Sequence, residues 1–307
     1  MTTTQVETDF GQIAVTETPG GAGPLLLLHG LTRSADDWLP ITSRLAGRLR
    51  MLAVDFPGHG RSDDIDRFDW RDGAALVSTL IDALHLDRVF VAGHSLGGLV
   101  ATVAAADDSR IAGVVNVDGH GAGHLSQFDG LTPEEAASGM QLFKDRSLEA
   151  FDGMEAEITA AQAAQEIDEM RRLLLTLPLI HEEADAVARA AYQDTATGTV
   201  RRRPSANVTS SIYLSLSELD IDAYYRKLGC PVIVIRTATD APGEASGDPE
   251  IDRLIAAVNR GIDRQLDALV RERSNIVLRP FSCGHGVTLE APDELAELLG
   301  EFVVSSR

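Results

Sequence analysis

The 307-residue sequence contains only two cysteines, Cys230 and Cys283, and neither lies in a CxxC pair or a Cys/His cluster. A structural zinc site therefore has no set of ligands here, and nothing in the sequence calls for a metal or another cofactor. A disulfide between the two cysteines stays open at this point. Two reduced thiols in a cytosolic protein are the simpler interpretation.

Basic residues are also scarce, because 27 Lys and Arg stand against 47 Asp and Glu, a formal net charge of -20. Nucleic acids and anionic membrane surfaces would repel such a protein, so neither is an expected partner. No apolar run is long enough to span a bilayer. The N-terminus lacks the basic and apolar segments of a signal peptide, which favours a cytoplasmic protein.

Short apolar runs typical of buried strands alternate with helical patterns, after an opening hairpin over Gln5–Thr8 and Gln12–Thr16. This alternation predicts an α/β fold with a mostly parallel sheet and helices on both faces. The predicted strands are Leu25–Leu28, Met51–Val54, Val89–Ala92, Gly113–Val117, Val232–Ile235 and Ile276–Leu278. The predicted helices between them are Asp37–Leu45, Trp70–Leu84, Leu96–Ala106, Ile251–Arg271 and Asp293–Phe302.

One long segment breaks the alternation. From about Gly121 to Leu228 there is no comparable strand, only helical patterns such as Pro133–Phe143 and Ile158–Leu175. We interpret residues 121–228 as a helical cap, and residues 1–120 and 229–307 as the α/β core. Such a cap would cover the carboxyl edge of the sheet, where ligands bind in open α/β folds.

The segment Gly93-His94-Ser95-Leu96-Gly97-Gly98 follows a predicted strand and precedes a predicted helix. A GxSxG sequence in this position is typical of a nucleophile elbow, whose sharp turn strains the serine and excludes side chains at the flanking glycines. Ser95 is therefore the candidate nucleophile. The oxyanion hole of such a site needs two backbone N–H groups, and Leu31 and Leu96 are placed to supply them.

A serine hydroxyl needs a base, and His285 lies between two glycines on the loop after the last predicted strand. Six other histidines are assigned less direct roles. His120 and His124 could touch substrate, whereas four are interpreted as structural: His29, His59, His85 and His94.

The acid that orients the base should lie between the serine and the histidine in the chain. Two aspartates follow predicted strands in this interval, Asp240 and Asp118. Asp240 is the first choice because its strand immediately precedes the strand that carries His285. Asp118 is the alternative.

Taken together, these motifs resemble the α/β-hydrolase superfamily, of the α/β-hydrolase-1 type. The resemblance rests on Leu25–Gly30 with Trp38, on Asp55–Ser62, on the Ser95 segment, on Pro231–Ile235 leading to Asp240, and on Gly284-His285 with Glu290-Ala291-Pro292. It implies an eight-stranded, mostly parallel sheet with a cap after the sixth strand, no cofactor, and Asp240 as the usual acid.

The sequence departs from the family pattern around Asp240. The family often has a glycine where Thr237 stands, and the stretch from Asp240 to Ser274 is unusually long. Glu244 and Asp248 within this stretch are further candidates for the acid.

The resemblance implies hydrolysis of an ester, thioester, lactone or amide, and we expect an esterase or lactonase for a small, mostly apolar substrate. Carbon–carbon bond hydrolysis, cofactor-free perhydrolysis and a non-catalytic ligand receptor remain alternatives. The cap segment Met170–Ile180 could line an apolar pocket, although packing between cap helices is the simpler interpretation. The run Arg201-Arg202-Arg203 could bind a substrate carboxylate, but charge runs usually face solvent.

Overall fold

A computed structural model describes residues 1–120, 124–152, 157–237 and 247–306 of the chain. Its central sheet has eight strands in the order β1-β2-β4-β3-β5-β6-β10-β11. Only the pairs of β2 with β1 and with β4 are antiparallel. These strands are β1 (Thr2–Thr8), β2 (Gly11–Thr18), β3 (Gly20–Leu28), β4 (Gly47–Val54), β5 (Val89–His94), β6 (Ile111–Val117), β10 (Val232–Thr237) and β11 (Ile276–Phe281).

Helices cover both faces of this sheet, as the sequence predicts. In β3, Leu26 and Leu28 contribute to the hydrophobic core on one face, while Leu25 and Leu27 contribute to the core on the other. All four side chains are fully buried, which explains why this strand is an unbroken apolar run. The helices are α1 (Leu39–Leu45), α2 (Trp70–Ala83), α3 (Leu96–Asp107), α9 (Pro249–Glu272), α10 (Val287–Glu290) and α11 (Pro292–Ser305).

The chain between β6 and β10 forms an insertion, because these two strands are direct neighbours in the sheet. Its helices are α4 (Pro133–Asp152), α5 (Ala160–Leu174), α6 (His181–Arg189), α7 (Ala206–Leu216) and α8 (Ile221–Tyr225). The division of the chain at residues 121 and 229 into core and cap stays a prediction.

The insertion also contains strands that the sequence analysis did not predict. They are β7 (Ile158–Thr159), β8 (Tyr192–Asp194) and β9 (Thr199–Arg202), and they form a separate antiparallel sheet in the order β7-β9-β8. The sequence analysis named only helical patterns in this segment and missed these short strands. Strands of two to four residues leave too short a pattern to stand out beside the helices.

Candidate active site

Ser95 lies on the turn that joins β5 to α3. Its backbone has a φ of 53° and a ψ of -115°, a conformation that residues with a side chain rarely adopt. A Cβ at Gly93 would lie 2.0 Å from the carbonyl oxygen of Gly97, and a Cβ at Gly97 would lie 2.3 Å from that of Leu28. Both positions therefore exclude any side chain, for the steric reason expected of a nucleophile elbow.

Side chains that follow three different strands form one hydrogen-bonded chain beside this turn. Ser95 Oγ lies 3.0 Å from His285 Nε2. His285 Nδ1 lies 2.7 Å from Asp118 Oδ2. Since β5, β6 and β11 are parallel, their carboxyl ends meet at one edge of the sheet, which brings together residues 190 positions apart. The His285 side chain is 54% exposed and can be reached from solvent.

Asp118 is held by more donors than His285 alone. Thr237 donates to it twice, from its backbone N–H to Oδ1 at 3.2 Å and from its hydroxyl to Oδ2 at 2.8 Å. His120 Nε2 lies 3.2 Å from Oδ1. Burial by itself would raise the pKa of Asp118, but hydrogen bonds from His120 and His285 bring that pKa well below its usual range. The carboxyl group is therefore ionised at neutral pH.

The carboxylate beside His285 is not the one that the sequence analysis preferred. Asp240 and Glu244 lie outside the described residues. Asp248 accepts a hydrogen bond from the Glu250 backbone N–H at 2.9 Å and so caps the start of α9. Asp118, the alternative, occupies the position at His285 Nδ1 that had been assigned to Asp240.

The two backbone groups predicted for an oxyanion hole lie near Ser95. Leu96 is the first residue of α3, so its N–H has no partner within the helix. Leu31 follows Gly30, where a Cβ would lie 3.4 Å from Ser95 Cβ, so this loop passes close to the serine. Among the described residues, neither N–H has an acceptor. Both can therefore be offered to a ligand, and their role stays a prediction.

Three buried histidines support the surrounding backbone. His29 Nε2 accepts from the Phe56 N–H at 3.0 Å. His94 Nε2 lies 2.7 Å from the His285 carbonyl oxygen. Burial lowers the pKa of His29, of His59 and, to about 4, of His94, so all three are neutral at pH 7. These contacts agree with the structural roles that the sequence suggests for them.

Two cavities meet at Ser95 and His285. The larger one has a volume of about 420 Å³, and the smaller one has a volume of about 260 Å³. His120 lines the larger cavity, whereas His124 lines neither, so only the first of these two can touch substrate. Leu174, from the predicted apolar cap segment, lines the smaller cavity and also packs among the helices of the insertion.

The wall of the larger cavity includes residues that sequence reasoning missed. Helix α9 contributes four of them, the insertion contributes three, and the end of β10 contributes Arg236 and Thr237. The four α9 residues recur at helical spacing and so lie on one face of the helix. Three of them are apolar, and the polar residue among them, Asn259, was a signal in the sequence that this face could line a binding site. These residues are Ile255, Val258, Asn259 and Ile262 of α9, and Phe143, Tyr213 and Leu216 of the insertion.

The run of three arginines does not reach either cavity. Arg203 is buried and donates to three backbone carbonyl oxygens of the core, at 3.2, 3.0 and 2.7 Å. The interpretation as a solvated face was therefore wrong for Arg203, which ties the insertion to the core. Arg201 and Arg202 form ion pairs with Asp64 and Glu166. The three carbonyl groups belong to Gly58, Gly60 and Ser62.

The described ranges show no metal site, no membrane-spanning helix and no reactive thiol. No cluster of three or more His, Cys, Asp or Glu side chains there could hold a metal ion. No helix in those ranges combines the length and the apolar character needed to cross a membrane. Cys230 and Cys283 are not bonded to each other. Burial raises the pKa of both thiols, that of Cys283 to about 12, so neither is a reactive thiolate at neutral pH.

Comparisons with known proteins agree with this architecture. A dihydrolipoyllysine-residue acetyltransferase component of an acetoin cleaving system from Pseudomonas putida is 32% identical over 136 residues, 43% of this chain and 37% of that protein. A 2-(acetamidomethylene)succinate hydrolase from Mesorhizobium japonicum is 33% identical over 147 residues, 47% of this chain and 52% of that protein. The matched segments thus span about a third to a half of these relatives.

A solved structure matches over almost the whole length. The crystal structure of an E-2-(acetamidomethylene)succinate hydrolase has a TM-score of 0.70 and 20% identity, covering 99% of both chains, a likeness that concerns the fold. The sequence profile of the alpha/beta hydrolase family matches residues 25–298, and with the sheet and nucleophile turn described above this shows that the chain belongs to the alpha/beta hydrolase family.

Proposed function

We propose that this protein is a serine hydrolase that cleaves an ester or lactone with a mostly apolar acyl part through an acyl-enzyme on Ser95. The observation that carries the proposal is the hydrogen-bonded chain from Ser95 through His285 to Asp118, at the junction of the two cavities. A buried, ionised carboxylate, an imidazole and a hydroxyl in this order are the parts needed for nucleophilic acyl transfer.

In the proposed mechanism, Ser95 Oγ attacks the scissile carbonyl carbon while its proton moves to His285 Nε2. Asp118 holds the proton on Nδ1 and stabilises the imidazolium that forms. The N–H groups of Leu31 and Leu96 donate to the oxyanion. Collapse of the intermediate breaks the bond to the leaving oxygen, which takes the proton from Nε2. Water then attacks the acyl-enzyme and gives a proton to His285. Collapse of the second intermediate releases the acid, and Ser95 Oγ takes that proton back from Nε2.

We assign the acyl part of the substrate to the larger cavity. Its wall contains Leu96 and Leu99 of α3 and the apolar residues of α9 and the insertion. The smaller cavity is bounded by Gly286, Thr288 and Leu289, on the segment that carries His285. Because His285 must pass its proton to the leaving oxygen, the leaving group fits best on this side. The larger volume lies within the range of small-molecule sites, roughly 300 to 1,000 Å³.

The first experiment is labelling with a fluorophosphonate probe, followed by mass spectrometry of the peptides. We expect one adduct on Ser95, no adduct in Ser95→Ala, and strongly slowed labelling in His285→Ala, because the hydroxyl loses its base. Turnover of 4-nitrophenyl butyrate by the same preparations distinguishes an enzyme from a ligand receptor. A folded protein that neither reacts with the probe nor releases nitrophenol would overturn the proposal.

The choice of acid is tested with matched aspartate variants. Asp118→Asn keeps the shape of the side chain but removes the charge, and we expect kcat to fall by roughly 10³- to 10⁴-fold. Asp240→Asn is the matched control and should keep most of the activity. If Asp240→Asn shows the large loss and Asp118→Asn does not, then Asp240 is the acid, as the sequence analysis preferred.

A further inference from the structure

Arg236 at the end of β10 and Asn259 on α9 are among the polar side chains in the wall of the larger cavity, and neither belongs to the hydrogen-bonded chain of Ser95, His285 and Asp118. Arg236 is largely buried, with 13% of its side chain exposed. Its Nη2 donates to Asn259 Oδ1 at 3.1 Å, and its Nε donates to Asp263 Oδ1 at 2.9 Å. The two cavity-lining side chains are thus fixed relative to each other by one hydrogen bond.

This arrangement leaves donors unused. Arg236 Nη1 lies 3.8 Å from Asp118 Oδ1, which is too far for a hydrogen bond. Asn259 uses its oxygen toward Arg236, so its Nδ2 group is left with both hydrogens. No acceptor for either group occurs in the described part of the chain. A ligand in the larger cavity can satisfy them by presenting an oxygen that accepts hydrogen bonds.

The charges around the pair select the kind of oxygen. Arg236 carries one positive charge and already faces two carboxylates, Asp118 and Asp263. A ligand carboxylate would add a third negative charge next to the ionised Asp118, so like-charge repulsion opposes it. A carbonyl oxygen accepts the same hydrogen bonds without that repulsion. The chemistry therefore favours a neutral acceptor.

We propose that Arg236 and Asn259 form a specificity subsite for a neutral carbonyl oxygen on the acyl part of the substrate, several bonds from the scissile carbonyl. This inference rests on the proposed function, since it places the acyl part in the larger cavity. A subsite of this kind would narrow the substrate class from esters and lactones in general to those whose acyl part carries an oxo group. Arg236 approaches Oδ1 of Asp118 whereas His285 bonds to Oδ2, so we place the second carbonyl apart from the reacting one.

The test compares 4-nitrophenyl esters whose acyl chains have nearly the same shape. Hexanoate, 5-oxohexanoate and the glutarate monoester differ only in carrying a methylene, a carbonyl or a carboxylate at the same position, and 4-oxohexanoate moves the carbonyl by one carbon. Each kcat/KM is divided by the rate of hydroxide hydrolysis to remove differences in intrinsic reactivity. We expect this corrected kcat/KM to be about five- to tenfold higher for one of the two oxo esters than for hexanoate. The glutarate monoester should have the lowest value.

Two variants assign the preference to the subsite. Asn259→Leu removes the amide donors at similar volume, and we expect the ratio of oxo ester to hexanoate to fall toward one, because Arg236 alone is then left of the two donors. Asn259→Ala, with folding checked by circular dichroism, should show the same fall in the ratio. It removes the amide without introducing a leucine that could disturb the packing. Ile255→Leu is the matched control one turn earlier on α9, and it should keep the ratio whatever it does to the individual rates.

The outcomes separate this inference from the function on which it depends. Hydrolysis of all esters with no oxo preference, or a preference that survives both Asn259 variants, overturns the subsite and leaves the serine hydrolase intact. A preference for the glutarate monoester overturns the neutral-acceptor argument. No hydrolysis of any ester by folded protein refutes the proposed function, and the subsite falls with it.

Discussion

Lowering the pH should destabilise this fold through His94, which lies next to the nucleophile in sequence. Burial, with a contribution from nearby His285, lowers the pKa of His94 from 6.5 to about 4. The unfolded chain has no such burial, so its histidine takes up a proton first as the pH falls. The free energy of unfolding must therefore decrease as the pH falls from 6.5 toward 4, and must change little through this group below 4.

The size of the effect follows from the two pKa values. At pH 5 the unfolded histidine is almost fully protonated, whereas about a tenth of the folded molecules carry a proton on His94. This difference lowers the free energy of unfolding by about 2 kcal/mol relative to pH 8, and by about 3 kcal/mol once the pH is below 4. His29 and His59 also have lowered pKa values and add to the loss in the same window.

A variant isolates the contribution of one histidine. In His94→Gln, the amide nitrogen can still donate to the His285 carbonyl oxygen, but it cannot be protonated in this range. Urea unfolding at pH 8 and pH 5 should show that the wild type loses about 2 kcal/mol more than the variant. The other buried histidines are present in both proteins and cancel. Equal losses in both proteins would refute the reasoning.

Three further substitutions test individual contacts. Arg203→Met should lower the free energy of unfolding by about 3 kcal/mol, since it strands three buried carbonyl groups, while Arg201→Met at the surface should cost below about 1 kcal/mol in the same denaturant titration. Tyr225→Phe removes the buried hydroxyl 2.7 Å from Asn116 Nδ2 and should cost about 1 kcal/mol in thermal unfolding. Gly97→Ala should cost at least about 3 kcal/mol or prevent soluble expression, because its Cβ would meet a carbonyl oxygen at 2.3 Å.

The core of the fold was predictable because its signals are local. A strand buried on both faces must be apolar at every position, and Leu25–Leu28 satisfies this within four residues. The nucleophile turn is likewise recognised from a local pattern, Gly93-His94-Ser95-Leu96-Gly97. Its steric cause is only partly local, because a Cβ at Gly93 would meet Gly97 whereas a Cβ at Gly97 would meet Leu28 of β3. Recognising such patterns needs no knowledge of distant parts of the chain.

The features that the sequence did not reveal depend on distant contacts. Arg203 looks like a surface charge until the loop containing Gly58 and Gly60 folds against it, more than 140 positions away. Helix α9 has an evident apolar face, but its contribution to the larger cavity follows only from where it lies relative to Ser95. Periodicity predicts that a face is buried and does not say which partner covers it.

The ambiguity between Asp118 and Asp240 has a geometric origin. Strands β6 and β10 are parallel neighbours, with Val117 paired to Ile235, so their carboxyl ends lie side by side beneath the loop of His285. An acid after either strand starts close to the imidazole. Motif order places the acid between Ser95 and His285 but does not distinguish the two strand ends.

Thr237, at the end of β10, departs from the family pattern and donates hydrogen bonds to Asp118, which follows β6. A glycine, which the family often has here, would offer Asp118 a backbone N–H only, whereas threonine adds a hydroxyl that donates to Oδ2, the oxygen bonded to His285. Thr237→Val removes the hydroxyl at constant shape. We expect the free energy of unfolding to fall by about 2 kcal/mol, the usual size for a hydrogen bond to a charged group.

The same variant should reduce kcat/KM for a 4-nitrophenyl ester by about fivefold, because fewer bonds fix the carboxylate against His285. As a positioning residue, Thr237 should act through kcat more than through KM, and Thr237→Ser, which keeps the hydroxyl, should restore both rate and stability. Valine and serine variants of equal rate and stability would show that the hydroxyl does not hold Asp118. The presence of threonine instead of glycine at position 237 would then have a cause other than its hydrogen bond to Asp118.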